Sequence, residues 1–585
     1  MPIPARAGGG SQVTNIERES MISSRREALG LGVAGMMASA LPGIARAATP
    51  ATLVIKSKGR DYAAALDKLR DYAAAELAAV GQPGMTIGIV DADGFAATIA
   101  LGWADVENKV PVRADHLFEI GSISKSISAL CIHALADEGR LDLNLPISHY
   151  LDGVPLPDAP ITTQQLLNHA AGFAHDAPLF PVSPDGRLWN GFAPGSHASY
   201  SNIGYLLLGL IITRITGRPH PEVIRERVLV PLGMTDATAH LLAADRKRYA
   251  TGYVPMIEDR PVMTQSPMVS GLLAEGDFAS GAVAASSDAM LGYLRYVLAL
   301  GRGTGAPIMS DAHAKALLAN DMELDEFGPG ARYASGFAKV KIDGKPVLHH
   351  TGGMELFTSS FHVDPVAGVG CFASVNGRVG PYRPRKTTAY AIELLRAVRD
   401  GKPLPAAPDP LAYRKVDKPA PLLGRWFGPE GRSFELKAVP GGVRLVAGGS
   451  EGRVELSGEN ELATDHPLFD RHLLTFEVKG DRATGLWWGE QWFARTSAPE
   501  QPAADPALKP LAGVYTTGNT AERVTLLARG KALHLEGVGE LVRRPGGFWS
   551  PKKDVGGVTR LWFDKVVNGA PYQVSFCGMP LPRLS

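Results

Sequence analysis

Leu117-Phe118-Glu119-Ile120-Gly121-Ser122-Ile123-Ser124-Lys125 is the stretch from which the rest of the chain is best read. A strand-like run ends at a glycine, Ser122 and Lys125 follow three residues apart, and Ser126 to Leu135 then carries the apolar spacing of a helix. Positions i and i+3 share one helix face, so the Lys125 amine can reach the Ser122 hydroxyl. A serine hydroxyl is a poor nucleophile until a neighbour takes its proton, and a desolvated lysine with a lowered pKa can be that neighbour. The S-x-x-K word alone is weak, since Ser550-Pro551-Lys552-Lys553 repeats it in a polar turn with no helix. The strand–glycine–helix setting is what raises Ser122 above it.

Two further clusters join this one. Tyr200-Ser201-Asn202 opens the apolar run Ile203 to Thr216 and offers a phenol as a second proton carrier and an amide to hold substrate. Taken alone, it also reads as a helix cap beside a core tyrosine. His350-Thr351-Gly352-Gly353 lies in Val347 to Phe361, which reads as an edge strand. Gly352 and Gly353 let a substrate backbone approach closely, and a backbone N–H there can join that of Ser122 in an oxyanion hole. Gly448-Gly449-Ser450-Glu451-Gly452 matches the G-x-S-x-G elbow, but Arg453-Val454-Glu455-Leu456 reads as another strand where the elbow needs a helix.

Six words in order give a resemblance: Pro83-Gly84-Met85; Gly121 to Lys125; Glu138-Gly139-Arg140-Leu141-Asp142-Leu143; Leu166-Leu167-Asn168-His169-Ala170-Ala171-Gly172; Tyr200 to Tyr205; and Pro231-Leu232-Gly233-Met234-Thr235-Asp236. Residues 83–395 thereby resemble the serine β-lactamase/penicillin-binding-protein family, in its class C-like branch with D-aminopeptidases, alkaline D-peptidases and esterases (peptidase family S12 type). The resemblance implies an α/β (α+β) domain with an antiparallel sheet and a helical subdomain. It implies Ser122 as the acylated nucleophile, Lys125 and Tyr200 sharing base duty, and Asn202 on the substrate. His350 stands where penicillin-binding enzymes usually carry the lysine of K-T-G, and the oxyanion amides map to Ser122 and Gly353. Leu356-Phe357 replaces the Gly-Phe of many relatives, which is expected to narrow the cleft, and Asn168 replaces a frequent threonine.

Outward from this core, Gly401 to Pro421 carries six prolines and reads as a linker. Beyond it, short strands alternate with glycine turns, and Leu423-Gly424-Arg425-Trp426 recurs as Ala512-Gly513-Val514-Tyr515. Six of the eight tryptophans lie past residue 420, suiting small barrels that need large fillers. The expected order is an export signal at 1–47, a hydrolase domain at 48–400, a linker at 401–421, a lipocalin-like β-barrel at 422–497, a second linker at 498–510 and a second barrel at 511–585. One continuous β domain is the alternative for the tail.

Arg25-Arg26 before the Gly/Ala-rich run Ala28 to Ile44, with Ala45-Arg46-Ala47 at its end, resembles a twin-arginine export signal. The mature chain is then expected in the periplasm or medium, without a stable membrane span. Net charge is +1 over 585 residues, which gives no electrostatic case for nucleic acid. Cys131, Cys371 and Cys577 are too scattered for a zinc cluster, and no H-E-x-x-H occurs. No metal or organic cofactor is expected, and the partner is a small-molecule or peptide substrate. A neutral imidazole at His350 gives a substrate carboxylate less than a lysine would. This favours a peptidase on small, D-residue-containing or linearised peptides. A carboxylic esterase, a β-lactamase and a non-catalytic penicillin- or peptidoglycan-binding module are the alternatives.

Overall fold

The computed structural model describes residues 50–57, 59–518, 522–554 and 556–584. The expected export signal lies outside the described residues. Strand Gly84–Asp91 is buried at every position, as its unbroken apolar run requires when both faces of a sheet are covered. It sits inside a sheet running Ala51–Ser57, Ala96–Asp105, Gly84–Asp91, Val369–Val375, Thr358–Asp364, Lys345–Gly353, Phe337–Ile342, Arg332–Ala334, Met322–Glu323, antiparallel at each step. Helices Ala63–Val80 and Arg385–Asp400 share a core with one face through Ile87, Ile89 and Ala373. Helix Ser287–Gly301 covers the other face through Val90, Phe361 and Phe372, and outside it stand helices Ser124–Asp137 and Asn202–Thr216.

The stretch expected as one edge strand, Val347 to Phe361, is two strands, Lys345–Gly353 and Thr358–Asp364, joined through Met354 to Phe357. The first is not an edge for most of its length. Asp343-Gly344, both at positive φ, make a two-residue hairpin that lays Phe337–Ile342 against it. That pairing stops at His349, so Thr351–Gly353 is paired on one side only. This open end meets the nucleophile's turn. Gly121 has φ +54°, and a Cβ there would lie 2.5 Å from the Gly353 nitrogen. A Cβ on Gly352 would fall 1.9 Å from the Ile120 carbonyl oxygen. Any side chain at either position would push strand and nucleophile apart.

The tail forms two eight-stranded antiparallel sheets, Gly424–Phe493 and Gly513–Pro582, each pairing its strands in sequence order. Phe427 and Ala494 exchange backbone hydrogen bonds, and Leu584 N donates to Val514 O, so each sheet nearly closes on itself. The internal repeat shows in detail. Trp426 and Tyr515 are both fully buried and donate to the carbonyl four residues back, Leu422 and Leu511. Arg495 lies over the Trp426 ring and Arg583 over Tyr515.

These sheets are not appended beads. Val558 and Cys577 of the second are buried in the same cluster as the nucleophile helix, and the Trp189 indole donates to Val558 O at 2.9 Å. The first sheet docks through Glu455, which accepts from Thr264 N, and through the Arg260–Asp470 ion pair.

Candidate active site

Lys125 is fully buried, one turn into the helix that Ser122 begins. Its Nζ lies 3.1 Å from Ser122 Oγ, 2.6 Å from Asn202 Oδ1 and 2.8 Å from the Ser280 carbonyl oxygen. Burial lowers its pKa from 10.5 to about 7, with Asp176 pulling the other way. An ammonium can donate to all three oxygens, and with a pKa of about 7 the neutral amine is also well populated near pH 7. In the neutral form two N–H bonds can serve the Asn202 and Ser280 oxygens, which only accept, and the lone pair then faces the serine hydroxyl.

Tyr200 closes the other side of Ser122. Its phenol hydrogen-bonds the serine, and burial raises its pKa well above the ordinary value, so it stays protonated. The Lys125 amine sits 4.9 Å from the centre of its ring, a placement that favours transient positive charge. His169 packs against the same ring at 4.2 Å between centroids and accepts a hydrogen bond from Ser201 N through Nδ1. Asn202 is the first residue of its helix, which Ser201 caps. Its amide donates to Asp176 Oδ1 at 2.5 Å while its oxygen takes the lysine, so its orientation is fixed from both ends. Burial pushes the Asp176 carboxyl up, but hydrogen bonds from His175 and Asn202 outweigh it and hold the group below its usual range.

His350 departs from its expected place on the substrate. It is only 1% exposed, with Nδ1 donating to Thr351 O at 2.6 Å and Nε2 taking the Tyr333 hydroxyl at 3.0 Å. Burial, with Lys125 adding to it, lowers its pKa to about 3, so it is neutral at any working pH. Its ring is covered by Tyr333 and Phe327 and lies 6.2 Å from that of Tyr200. Gly352 and Gly353 stand at the open strand end beside Gly121 and Ile120. Leu356 was expected to narrow the cleft, but it packs away from it, into space left by Gly252 and Gly271. Phe357 meets Phe118 edge to face.

Four contributors were not legible in the sequence: Asp176, Tyr333, the Ser280 carbonyl and Arg383. The Arg383 guanidinium lies where a side chain on Gly353 would go, donates to Tyr382 O, and has no ion pair among the described residues. Burial lowers its pKa to about 10, so it remains a cation beside the open strand.

Ser450 also hydrogen-bonds a base, His466 Nε2 at 2.9 Å. There His466 Nδ1 accepts from Leu468 N, so the proton sits on Nε2, which also faces Ala447 O. That serine meets a donor, not a base. At the other S-x-x-K word, Lys552 and Lys553 pair with Glu540 and Glu459.

Fold and pocket together define a serine acyl-transfer type of site, with a lysine–tyrosine pair around a nucleophile at a helix start and an open strand opposite. The beta-lactamase family model matches residues 69–395, and the chain belongs to that family. Penicillin-binding protein 4 of Amycolatopsis lactamdurans is 26% identical over 368 residues, 59% of this chain and 93% of that protein. The mitochondrial serine beta-lactamase-like protein LACTB of Bos taurus is 37% identical over 122 residues, 20% of this chain and only 22% of its own length. The octameric penicillin-binding protein homologue from Pyrococcus abyssi shares the fold, with a TM-score of 0.52 and 23% identity over 74% of this chain and 100% of that one.

Proposed function

We propose that the protein is a serine hydrolase working through an acyl-enzyme on Ser122, and that its substrates are small or D-residue-containing peptides. The observation that carries this is the buried Lys125 amine, 3.1 Å from Ser122 Oγ, whose neutral form can keep its two N–H bonds on the Asn202 and Ser280 oxygens and turn its lone pair to the serine. Ser122 Oγ adds to the substrate carbonyl while its proton passes to Lys125 Nζ. The oxyanion forms between the backbone N–H groups of Ser122 and Gly353. Collapse expels the leaving amine, which receives a proton through the Tyr200 hydroxyl, itself resupplied by the Lys125 ammonium. Water then enters by the same steps in reverse and releases the acid.

A neutral, buried His350 supports amides and esters without a carboxylate beside the scissile bond over β-lactams. Arg383 favours a second reading, in which a carboxylate-bearing amide or β-lactam is anchored at the open strand. A screen of D- and L-aminoacyl amides, short peptides, p-nitrophenyl esters and nitrocefin decides between them. Peptide or ester turnover exceeding nitrocefin turnover supports the first, and the reverse order overturns it. A fluorophosphonate probe should add one mass to the peptide containing Ser122. Export is part of the proposal and rests on Arg25-Arg26 and Ala45-Arg46-Ala47. N-terminal sequencing of native protein should find a start near Ala48.

A further inference from the structure

A cavity of about 750 Å³ opens where the catalytic part meets both tail sheets, a size at which peptides and small ligands are held. Glu355 and Arg378 form its inner rim, Arg414 and Arg471 reach it from the linker and first sheet, and Arg523 and Phe576 from the second. Its charges do not balance locally. Glu355 is taken by Arg378 at 3.2 Å and Asp259 by Arg260 at 2.8 Å, while Glu536 hydrogen-bonds His472 Nδ1 at 3.0 Å, a pair that is ionic only when the imidazole is protonated.

Among the described residues, Arg471 and Arg523 on its wall make no ion pair, and Arg414 has only a long one to Glu455. Arg414 is 4% exposed and donates through Nη1 to Leu456 O at 3.3 Å, while Nε and Nη2 find no acceptor in hydrogen-bonding geometry. Its nearest carboxylate, Glu455, is 3.9 Å away and already bound to Thr264. Arg471 makes no ion pair among the described residues, and Arg523 donates only to the Asp259 carbonyl at 3.3 Å. Asp259 feels the surplus. Its carboxyl is held below the usual range first by Arg260, with Arg471 and Arg523 adding to the effect. Against these stands the exposed, unpaired Glu258. Guanidiniums held partly out of water are poorly hydrated and bind carboxylates with two parallel hydrogen bonds. Val524, Leu535 and Phe576 give the same cavity an apolar wall.

The rim is close to the chemistry. Arg378 Nη1 reaches toward Met354 O at 3.5 Å, and Met354 directly follows Gly353, whose backbone abuts Gly121. We propose that this cavity receives the distal, carboxylate-bearing segment of a peptide whose scissile bond lies at Ser122. The assignment rests on the hydrolase reading above and extends it to a substrate class, acidic peptides longer than the cleft itself. The tail sheets are then part of the substrate site.

The test uses full-length Ser122→Ala protein, so binding is read without turnover. Calorimetry compares peptides of equal length bearing two distal acidic, neutral or basic residues. The acidic peptide should bind at least tenfold more tightly than the neutral one, and Arg471→Glu with Arg523→Glu should abolish that preference. Arg471→Glu alone, at an exposed side chain, should reduce it even if the double variant folds poorly. Equal affinities for the three peptides overturn the proposal, as does inorganic phosphate binding as tightly as the acidic peptide, which marks a free-anion site. Probe labelling of unmodified protein separates the two readings. Label on Ser122 without an acidic preference leaves the hydrolase standing and overturns the cavity assignment. An acidic preference without label keeps the cavity as an acidic-peptide site but overturns its link to Ser122.

Discussion

Ser122 and Ser450 each touch a nitrogen base, and of the two only Ser122 is poised for nucleophilic attack. Ser122 faces a buried lysine whose pKa has fallen to about 7 and whose neutral form can spend both N–H bonds on Asn202 and Ser280. Ser450 faces a histidine that a backbone N–H has locked into the tautomer with its proton toward the serine. Proximity is nearly the same, at 3.1 and 2.9 Å. The difference lies in what the other atoms of each base are doing. A base is made by its remaining partners as much as by its distance to the nucleophile.

The comparison breaks first at Ser122 and Lys125. Ser122→Ala or Lys125→Met should each lower kcat by about three orders of magnitude or more, and the double variant should be little worse than either. Independent, additive losses measured by steady-state kinetics would mean that the two do not act as a unit. Tyr200→Phe removes a proton carrier but neither nucleophile nor base, and a loss of about a hundredfold in kcat is expected. That loss should shrink for esters with leaving groups that need no proton.

Asp176→Asn sharpens the electrostatic half of the comparison. The carboxylate stabilises the Lys125 ammonium, so its removal should lower the lysine pKa. The acid limb of the kcat/KM profile then moves to lower pH, and a shift upward would contradict the assignment. Smallest of all is Ser450→Ala, expected to change turnover by less than twofold, within assay error.

Much of the site was readable because its residues carry chemistry in fixed local spacings. Ser122 and Lys125 share a helix turn, and Asn202 follows a capping serine. Gly352 and Gly353 were legible as a place where something must come close. What the sequence hid was tertiary. Asp176 and Ser280 reach Asn202 and Lys125 from loops with no periodic signal, and Ser280 contributes a carbonyl that any residue carries. His350 was misplaced because position along a strand does not tell which side chains another layer will cover, here Tyr333 and Phe327. Val347 to Phe361 differs from a single edge strand because Asp343-Gly344 turns a hairpin that lays Phe337–Ile342 against its first half. The repeat in the tail was plain from Trp426 and Tyr515. Its docking was not, because Val558 meets Trp189 across 369 residues.

The central claim is that a neutral Lys125 amine activates Ser122. The rate of fluorophosphonate labelling at Ser122, followed by mass spectrometry from pH 5 to 9, tests it most directly. Below pH 7 the lysine is an ammonium without a lone pair, so labelling should rise about tenfold per pH unit there. It should level off above about 7, and Lys125→Met should remove the rise. A labelling rate independent of pH across this range, or label carried on Ser450, would contradict the account.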